Sequence, residues 1–394
     1  MSKKAIVIGA GFAGCTISYL LNKEGWDITL IEKEAVIGGG CRTYYYGGHP
    51  YTYGPRPYYG YSEKMFKWLN SFVSMRKFPF ELRSYVEQDH RFYAYPIHED
   101  DIKSMPDKDL IYDELKNVDM TKEPKDFEDY WISRVGKRLY DKYVNEYSKK
   151  MWMLKSNKVI DTFSWSAKDH PINTGSKTAY KTSIIGYPIP AEAYNVFFDK
   201  AVSGVKLLLN KRIKRLDLHK KTVELETGER LNADVVVSSM PVDELFEHSL
   251  GELPYAGREF IVFVLPCQQV FPGDIRFCHY TQKEPYTRIT EFKKLTYFEA
   301  EDTLLLMEIP SKKNKLYPYM IKKYLDIKEK YLSMLPQDVY SIGRQGTYMY
   351  STIEQTIVQA FDAFNKITGK TVDNMEQEFY KIGDVNEIKE RKQS

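Results

Sequence analysis

The sequence predicts an α/β fold: a Rossmann-like dinucleotide domain that carries a mainly helical unit and an antiparallel sheet. Three observations predict it. Residues 5–32 read as a short apolar strand, a glycine turn, a helix and a second strand. A β-branched segment, Ala233-Asp234-Val235-Val236-Val237-Ser238-Ser239, ends in small residues and looks like the return of the chain to that same sheet. Residues 256–310 are rich in strand-like runs separated by turns, which makes a second sheet. A chain of 394 residues exceeds what one hydrophobic core usually serves, so two or three structural units are expected.

The first segment carries the most chemistry. After Ala5-Ile6-Val7-Ile8 come Gly9-Ala10-Gly11-Phe12-Ala13-Gly14, which fit the G-x-G-x-x-G pattern. Gly9 permits the tight turn, Gly11 lets the backbone approach a pyrophosphate, and Gly14 lets the helix pack closely on the strand. Phe12 and Ala13 open the helix, whose N-terminus offers unpaired N–H groups to phosphates. Leu20 and Leu21 lie on its buried side, and Gly25 is its stop signal. Glu32 closes the second strand about twenty residues on, where a carboxylate accepts ribose hydroxyls.

Composition narrows the function. A net charge of +3 is near neutral for this length, so no nucleic-acid or membrane field is implied. Cys15, Cys41, Cys267 and Cys278 show no metal-ligand or C-x-x-C spacing, and no metal is expected. The start, Met1 followed by Ser-Lys-Lys and then a strand, gives no secretory signal, and the longest apolar run, Phe260 to Pro266, is too short to cross a bilayer. A cytoplasmic protein is expected. Its 32 tyrosines suit a cleft that stacks rings and binds anions, although core filling accounts for most of them.

Further along, Ile37-Gly38-Gly39-Gly40-Cys41-Arg42-Thr43 lets a loop run close beside a cofactor. In the large class of two-dinucleotide-domain flavoproteins a similar glycine segment follows the ribose-binding acid, and that resemblance moves the expected cofactor from NAD to FAD. Tyr51 to Arg56 reads as a strand and turn. Ser62 caps an amphipathic helix with Met65, Phe66, Leu69, Phe72 and Val73 on one face. A hairpin follows, Leu82 to Val86 and Phe92 to Ile97. Helical periodicity runs from Phe127 to Val135, pauses at Gly136 and resumes through Leu139, Tyr140, Tyr143, Val144 and Tyr147. Residues 156–190, with Gly175 and Gly186, show little regular pattern and read as a mobile loop over a cleft. Strands are expected at Val205 to Ile213 and Thr222 to Thr227. In the second sheet they are expected at Phe260–Leu265, Ile275–Tyr280, Thr287–Phe292 and Thr303–Ile309. A helix around Met320 to Leu332, a strand near Val339, a glycine turn at Gly343 and a helix from about Thr352 complete the pattern, before a charged tail.

Several of these stretches together resemble one family, prokaryotic UDP-galactopyranose mutase. They are G-A-G-F-A-G with I-G-G, the Tyr53-Gly54-Pro55 turn, the Gly136-Lys137-x-Leu139-Tyr140 helix ending at Trp152, Pro285-Tyr286-Thr287-Arg288-Ile289-Thr290-Glu291, and Gly343-Arg344-x-Gly346-Thr347-Tyr348-x-Tyr350. The resemblance implies an FAD domain (1–62, 191–245 and 336–368), an inserted helical domain (63–155), a substrate domain of mobile loop and six-stranded sheet (156–190 and 246–335) and a tail (369–394). It implies an isomerase that interconverts pyranose and furanose forms of a nucleotide sugar through a reduced-flavin N5–sugar adduct, for capsule or lipopolysaccharide synthesis. The partners it implies are the nucleotide sugar and an external reductant such as NAD(P)H. A homodimer is compatible with the sequence.

Residue by residue, the resemblance gives Arg288, Tyr317 and Tyr350 the diphosphate and Arg344 the flavin. Tyr143, Tyr147, Ser148 and Trp152 take the uridine, and Tyr180 joins the substrate site. Gly9, Gly11, Phe12, Ala13, Gly14, Glu32, Gly39, Gly40, Gly54, Arg344 and Tyr350 line the cofactor. The chain departs from the pattern in three places. The family's G-P-H-x-x-H reads Gly54-Pro55-Arg56-Pro57-Tyr58-Tyr59, which puts Arg56 among the expected catalytic residues. The family's loop arginine falls at Ser166, with Lys168 nearby, and its Leu-Asp becomes Ser351-Thr352. These departures imply a sugar other than ordinary UDP-galactose. Two other readings fit parts of the pattern: a flavin oxidoreductase of the amine oxidase or desaturase type, and a non-catalytic sugar-nucleotide binder.

Overall fold

In a computed structural model that describes residues 2–162 and 172–371, the first sheet has five parallel strands. Their order is Lys206–Leu208, Asp27–Ile31, Lys4–Ile8, Val235–Ser238 and Val339–Ser341. Ala5 aligns with Val235 on one side and Ile28 on the other, so the glycine turn after Ile8 leaves from the centre of the sheet. Val7, Leu30, Val236 and Val237 are fully buried, as strands covered on both faces require. The expected return strand is therefore in place.

Helix Phe12–Lys23 packs on this sheet and against helix Ile353–Thr368. The close approach depends on Gly14: a Cβ there would lie 1.8 Å from the Gly9 carbonyl oxygen. Thr352 starts the second helix with a capping box, its hydroxyl accepting from Gln355 N while the Gln355 side chain accepts from Thr352 N. Gly369, at φ +69°, ends that helix; residues 372–394 of the charged tail lie outside the described residues.

The second sheet has seven strands, one more than the resemblance implied, in the order Tyr317–Pro318, Tyr255–Leu265, Thr303–Ser311, Arg288–Glu291, Phe277–Tyr280, Leu82–Val86 and Arg91–Tyr95. The hairpin within 63–155 supplies the last two. It joins by a parallel pairing of Leu82–Val86 with Phe277–Tyr280, so the sheet is mixed rather than purely antiparallel. Apart from the short strand Met75–Lys77, the regular structure in the rest of that stretch is helical, and its later helices have their own core of Phe127, Trp131, Val135, Leu139 and Tyr143.

Two other expectations change. The single strand expected from Val205 to Ile213 is two: Lys206–Leu208 edges the dinucleotide sheet, and Ile213–Asp217 opens a separate three-stranded sheet. Residues 184–188, read as loop, form a strand between Tyr58–Gly60 and Met75–Lys77. Its Gly186 lies so close to Arg76 O and the Phe66 ring that a side chain there would clash, which is the packing reason for a glycine.

Replacing Gly14 by alanine drives a methyl into backbone rather than into a movable side chain. The Gly14→Ala variant is expected to lose about 1–3 kcal/mol, the usual cost of overpacking. The thermal unfolding midpoint checks this, and a midpoint equal to wild type would show that helix and strand can separate freely.

Candidate active site

One cleft of about 1390 Å³ runs from the glycine turn of the first sheet to the face of the second. At the first end, Gly9 has φ +91°, and a Cβ would sit 2.3 Å from Ser239 Oγ. Gly11 is the opposite case. Nothing lies within 4 Å of its Cβ position, which opens into the cleft. Gly11 caps the helix without a side-chain bond, and no acidic residue occupies the first turn, so the N–H groups beside Phe12 and Ala13 are left for an anion. Glu32 lines the cleft and is held rigidly: Oε2 accepts from Ala10 N at 2.8 Å and Oε1 from Glu34 N at 3.0 Å. Gly39 and Gly40 continue the wall. A cradle that side chains would fill, donors at its centre and a carboxylate at its edge fit the ribose and diphosphate of a dinucleotide.

The far end is cationic. Arg288 pairs with Glu308 through two bonds, Nε to Oε1 at 2.7 Å and Nη2 to Oε2 at 2.8 Å, and its guanidinium lies 5.0 Å from the Phe277 ring. Arg258 donates from Nη1 to Gly257 O at 2.6 Å and Met151 O at 3.2 Å. Arg344 donates from Nε and Nη2 to Ser351 O and from Nη1 to Leu316 O. Arg56 donates from Nε to Gly40 O at 3.1 Å. All four line the cleft. Of these four, among the described residues, only Arg288 forms an ion pair, and the other three guanidiniums are held by carbonyl oxygens, so one carboxylate, Glu308, faces several cations.

The charges act on their neighbours. Burial would raise the Tyr317 phenol, but Arg56 first, then Arg288 and Arg258, pull it down. Its ring stacks on Tyr350 at 5.5 Å, and burial leads the rise of the Tyr350 hydroxyl. Burial and then Arg288 push His279 down to about 3, which keeps it neutral, with its ring 5.1 Å from Tyr147. The helical unit forms the third wall. After Gly136, at φ +80°, a wide π-type turn over Asp141–Asn145 presents Tyr143, and helix Glu146–Trp152 presents Tyr147, Ser148 and Trp152. The Tyr143 hydroxyl is buried and has no hydrogen-bond partner among the described residues. Tyr180, at φ +55°, closes the side, edge-on to Tyr59 at 5.0 Å.

The structure thus gathers every expected site residue into one cleft except two. Gly14 lies behind it as helix packing. Gly54, expected beside the cofactor, instead has its Cβ direction against Glu308 Oε1 at 3.2 Å, and it does not line the cleft. Strand alternation would put Tyr286 and Thr290 on the same face as Arg288, but neither lines the cleft: Tyr286 packs edge-on to Tyr280, and Thr290 is fully buried in the sheet. Ser166 and Lys168 lie outside the described residues. Arg258, Glu308 and His279 were not expected; a charged or polar residue inside an otherwise apolar strand is the signal that would have found them.

Because Gly11 faces open space, Gly11→Val should fold as wild type yet bind no dinucleotide, its branched side chain occupying the cradle. Thermal unfolding of ligand-free protein and the flavin absorbance of the purified variant check the two halves separately.

Comparison with known proteins agrees with this geometry. The family model for UDP-galactopyranose mutase matches residues 142–350, and a model for NAD(P)-binding Rossmann-like domains matches residues 7–72. A dTDP-fucopyranose mutase of Escherichia coli is 24% identical, covering 91% of this chain and 97% of that protein. A probable UDP-galactopyranose mutase of Klebsiella pneumoniae is 23% identical, covering 97% and 99%. The solved structure of a reduced UDP-galactopyranose mutase superposes with a TM-score of 0.81 at 17% identity, covering 93% of this chain and 96% of that one. A putrescine oxidase variant shares the fold less closely, at a TM-score of 0.60 and 11% identity with 93% and 99% covered. With more than half of its length matched by the family model, the chain belongs to the UDP-galactopyranose mutase family and is an isomerase.

Proposed function

We propose that the protein is an FAD-dependent mutase that interconverts pyranose and furanose forms of a nucleotide sugar, with a sugar other than plain UDP-galactose. The observation that carries this reading is the arginine-rich end, four guanidiniums around one paired carboxylate, of a cleft whose other end is a dinucleotide cradle. Two ligands would share the space, which is larger than the roughly 300–1,000 Å³ of an ordinary single-ligand site. The residues fit FAD. The N-terminus of helix Phe12–Lys23 would take its diphosphate, Glu32 its ribose, and the Gly39–Gly40 wall would lead its ring towards Arg344. When bound and reduced, the flavin supplies the nucleophile for the anomeric carbon.

The chain's own residues would do the rest. Arg288 and Arg258 sit where a departing nucleoside diphosphate needs positive charge, and fixed cations in a dry cleft stabilise it without reorganising. Tyr317 and Tyr350 add hydroxyl donors. Tyr143, Tyr147 and Trp152 offer ring faces to the base, while Tyr180 and Tyr59 screen the opened sugar from water. NAD(P)H as reductant, a cytoplasmic setting and a role in capsule or lipopolysaccharide assembly complete the reading. No described helix is long and apolar enough to cross a membrane.

The experiment is a panel of nucleotide sugars, UDP-galactopyranose and dTDP-fucopyranose included, given to the dithionite-reduced protein. Ring-contracted product, formed without net consumption of reductant, is expected. Turnover in air coupled to oxygen uptake, with no isomerised sugar, would instead establish the oxidoreductase reading.

On the substrate that the panel identifies, Arg288→Ala should lower turnover by about 10²–10³-fold or more, the scale for losing one oxyanion donor. It should also destabilise the protein, because Glu308 is left buried without its partner. Combining Arg288→Ala with Glu308→Gln is expected to restore stability but not turnover, and Arg288→Lys to recover only part of the rate, since a point charge cannot grip two oxygens as a fork does. Turnover by the double variant within about threefold of wild type, far short of that scale, would remove Arg288 from the diphosphate site.

A further inference from the structure

The four arginines of the cleft divide by what holds them. Arg258 and Arg288 stand on Tyr255–Leu265 and Arg288–Glu291, the two strands that flank Thr303–Ser311, so they belong to the sheet wall. Arg56 and Arg344 belong to the dinucleotide side. Arg56 is tied by Nε to Gly40 O in the glycine loop, and Arg344 follows the turn at Gly343. Both cations reach the Cys41 thiol, which burial raises while Arg56 and Arg344 lower it. The two guanidiniums therefore flank the end of the glycine loop.

They differ in what remains free. Arg344 uses Nε, Nη1 and Nη2 on the carbonyls of Ser351 and Leu316. Arg56 spends Nε on Gly40 O and its side chain also bonds the Tyr317 phenol, but among the described residues no carbonyl holds Nη1 or Nη2 and no carboxylate forms an ion pair with it. Glu308, the acid that acts on it most, is already gripped by Arg288. A guanidinium fixed to the cofactor wall through Nε, its terminal edge shared only with a phenol and without an ion-pair partner, suits a planar anion that arrives along that wall.

Two anionic species would enter this cleft. The nucleoside diphosphate has Arg258 and Arg288 opposite it. The reduced flavin, once its N1 proton is lost, carries one negative charge spread along the N1–C2=O edge, a flat pair of acceptors that matches a guanidinium fork. We infer that Arg56 is the counter-ion of the reduced flavin, and that by favouring the anionic form it raises the potential at which the cofactor is reduced. The inference rests on the FAD-dependent reading above. It gives the arginine a task distinct from contact with the sugar. Tyr317, Cys41, Glu308, Arg344 and Tyr350 are the charged and titratable groups that face it.

The test is reductive titration of the holoprotein without substrate. Arg56→Gln removes the charge at similar size. It should lower the ratio of reduced to oxidised flavin at a fixed potential by about tenfold or more, equivalent to ~30 mV or more for a two-electron couple. The absorbance of the reduced flavin should show N1 protonation persisting to higher pH, because an opposite charge within reach favours the ionised form. Arg56→Lys, which keeps the charge, should recover most of both. Tyr317→Phe should leave the potential in place, separating the arginine from the phenol it acts on. UDP affinity of the oxidised Gln variant should stay within about threefold of wild type, less than the cost of losing a charge-assisted bond. An unchanged potential in Arg56→Gln, or a potential that Lys does not restore, overturns the inference. So does weakened UDP binding at constant potential, which would return Arg56 to the substrate. If Gln retains no FAD, Arg56→His gives the same reading: relative to wild type at each pH, its potential should fall as the imidazole loses its proton near its ordinary value of about 6.5; a constant difference overturns the inference. An active mutase with unchanged potential in the variant defeats this inference alone, whereas a wild type that takes up no FAD defeats the function reading with it.

Discussion

Glu308 is the charge on which the cleft depends. It is 1% exposed, and burial alone would push its carboxyl up; Arg288 foremost, then Arg258 and Arg56, hold it below the usual carboxylate range. Its two oxygens take both donors of Arg288, which stands directly opposite on the neighbouring strand. Its other side meets the Gly54 turn, where φ is +83° and a Cβ would come within 3.2 Å. One carboxylate thus fixes the sheet's arginine and sets the distance to the loop that carries Arg56. A buried pair of this kind adds little net stability, because desolvation consumes most of the attraction. Its value here is positional.

The same argument explains why the surrounding cations are held by carbonyls. A carboxylate beside Arg258, Arg344 or Arg56 would neutralise it, whereas a carbonyl orients the guanidinium and leaves the charge. The guanidiniums therefore repel one another across the cleft, visible in the lowering of Arg344, by burial first and by Arg56 among the rest. Anionic ligands relieve that repulsion, so binding and folding stability are coupled: the occupied protein gains in proportion to ligand concentration over its dissociation constant.

The dinucleotide half was legible because its signals are local. Gly9, Gly14 and Glu32 lie within one strand–helix–strand unit, and each is explained by contacts inside that unit or with Ser239. The tyrosines and Trp152 of the helical wall were legible only through motif resemblance. Their spacing alone also describes a packed helix, and the π-type turn over Asp141–Asn145 that aims Tyr143 has no pattern of its own. Partners joined by long-range pairing were not legible. Nothing near Leu82–Val86 announces that it runs parallel to Phe277–Tyr280, and nothing near Leu304-Leu305-Leu306-Met307-Glu308 says that the glutamate faces an arginine. Gly54 differs for a related reason: the resemblance puts it beside the cofactor, whereas it makes room for a carboxylate from another unit.

Two of the three departures from the family pattern change the charge in the same direction; the third, Ser166 at the place of the family's loop arginine, lies outside the described residues. Where the resemblance leads one to expect an imidazole, Arg56 brings a permanent charge. Where it leads one to expect a carboxylate after Tyr350, Ser351 and Thr352 stand instead, the first accepting from Arg344 through its carbonyl and the second capping helix Ile353–Thr368. Each substitution shifts the cofactor side of the cleft towards positive charge, and Glu308, the acid that acts on Arg56, is already paired with Arg288. A buried cation without purpose costs several kcal/mol to desolvate. Two changes of the same sign beside the same glycine loop are what a site would retain if the species bound there were more anionic, or needed to be held anionic more firmly.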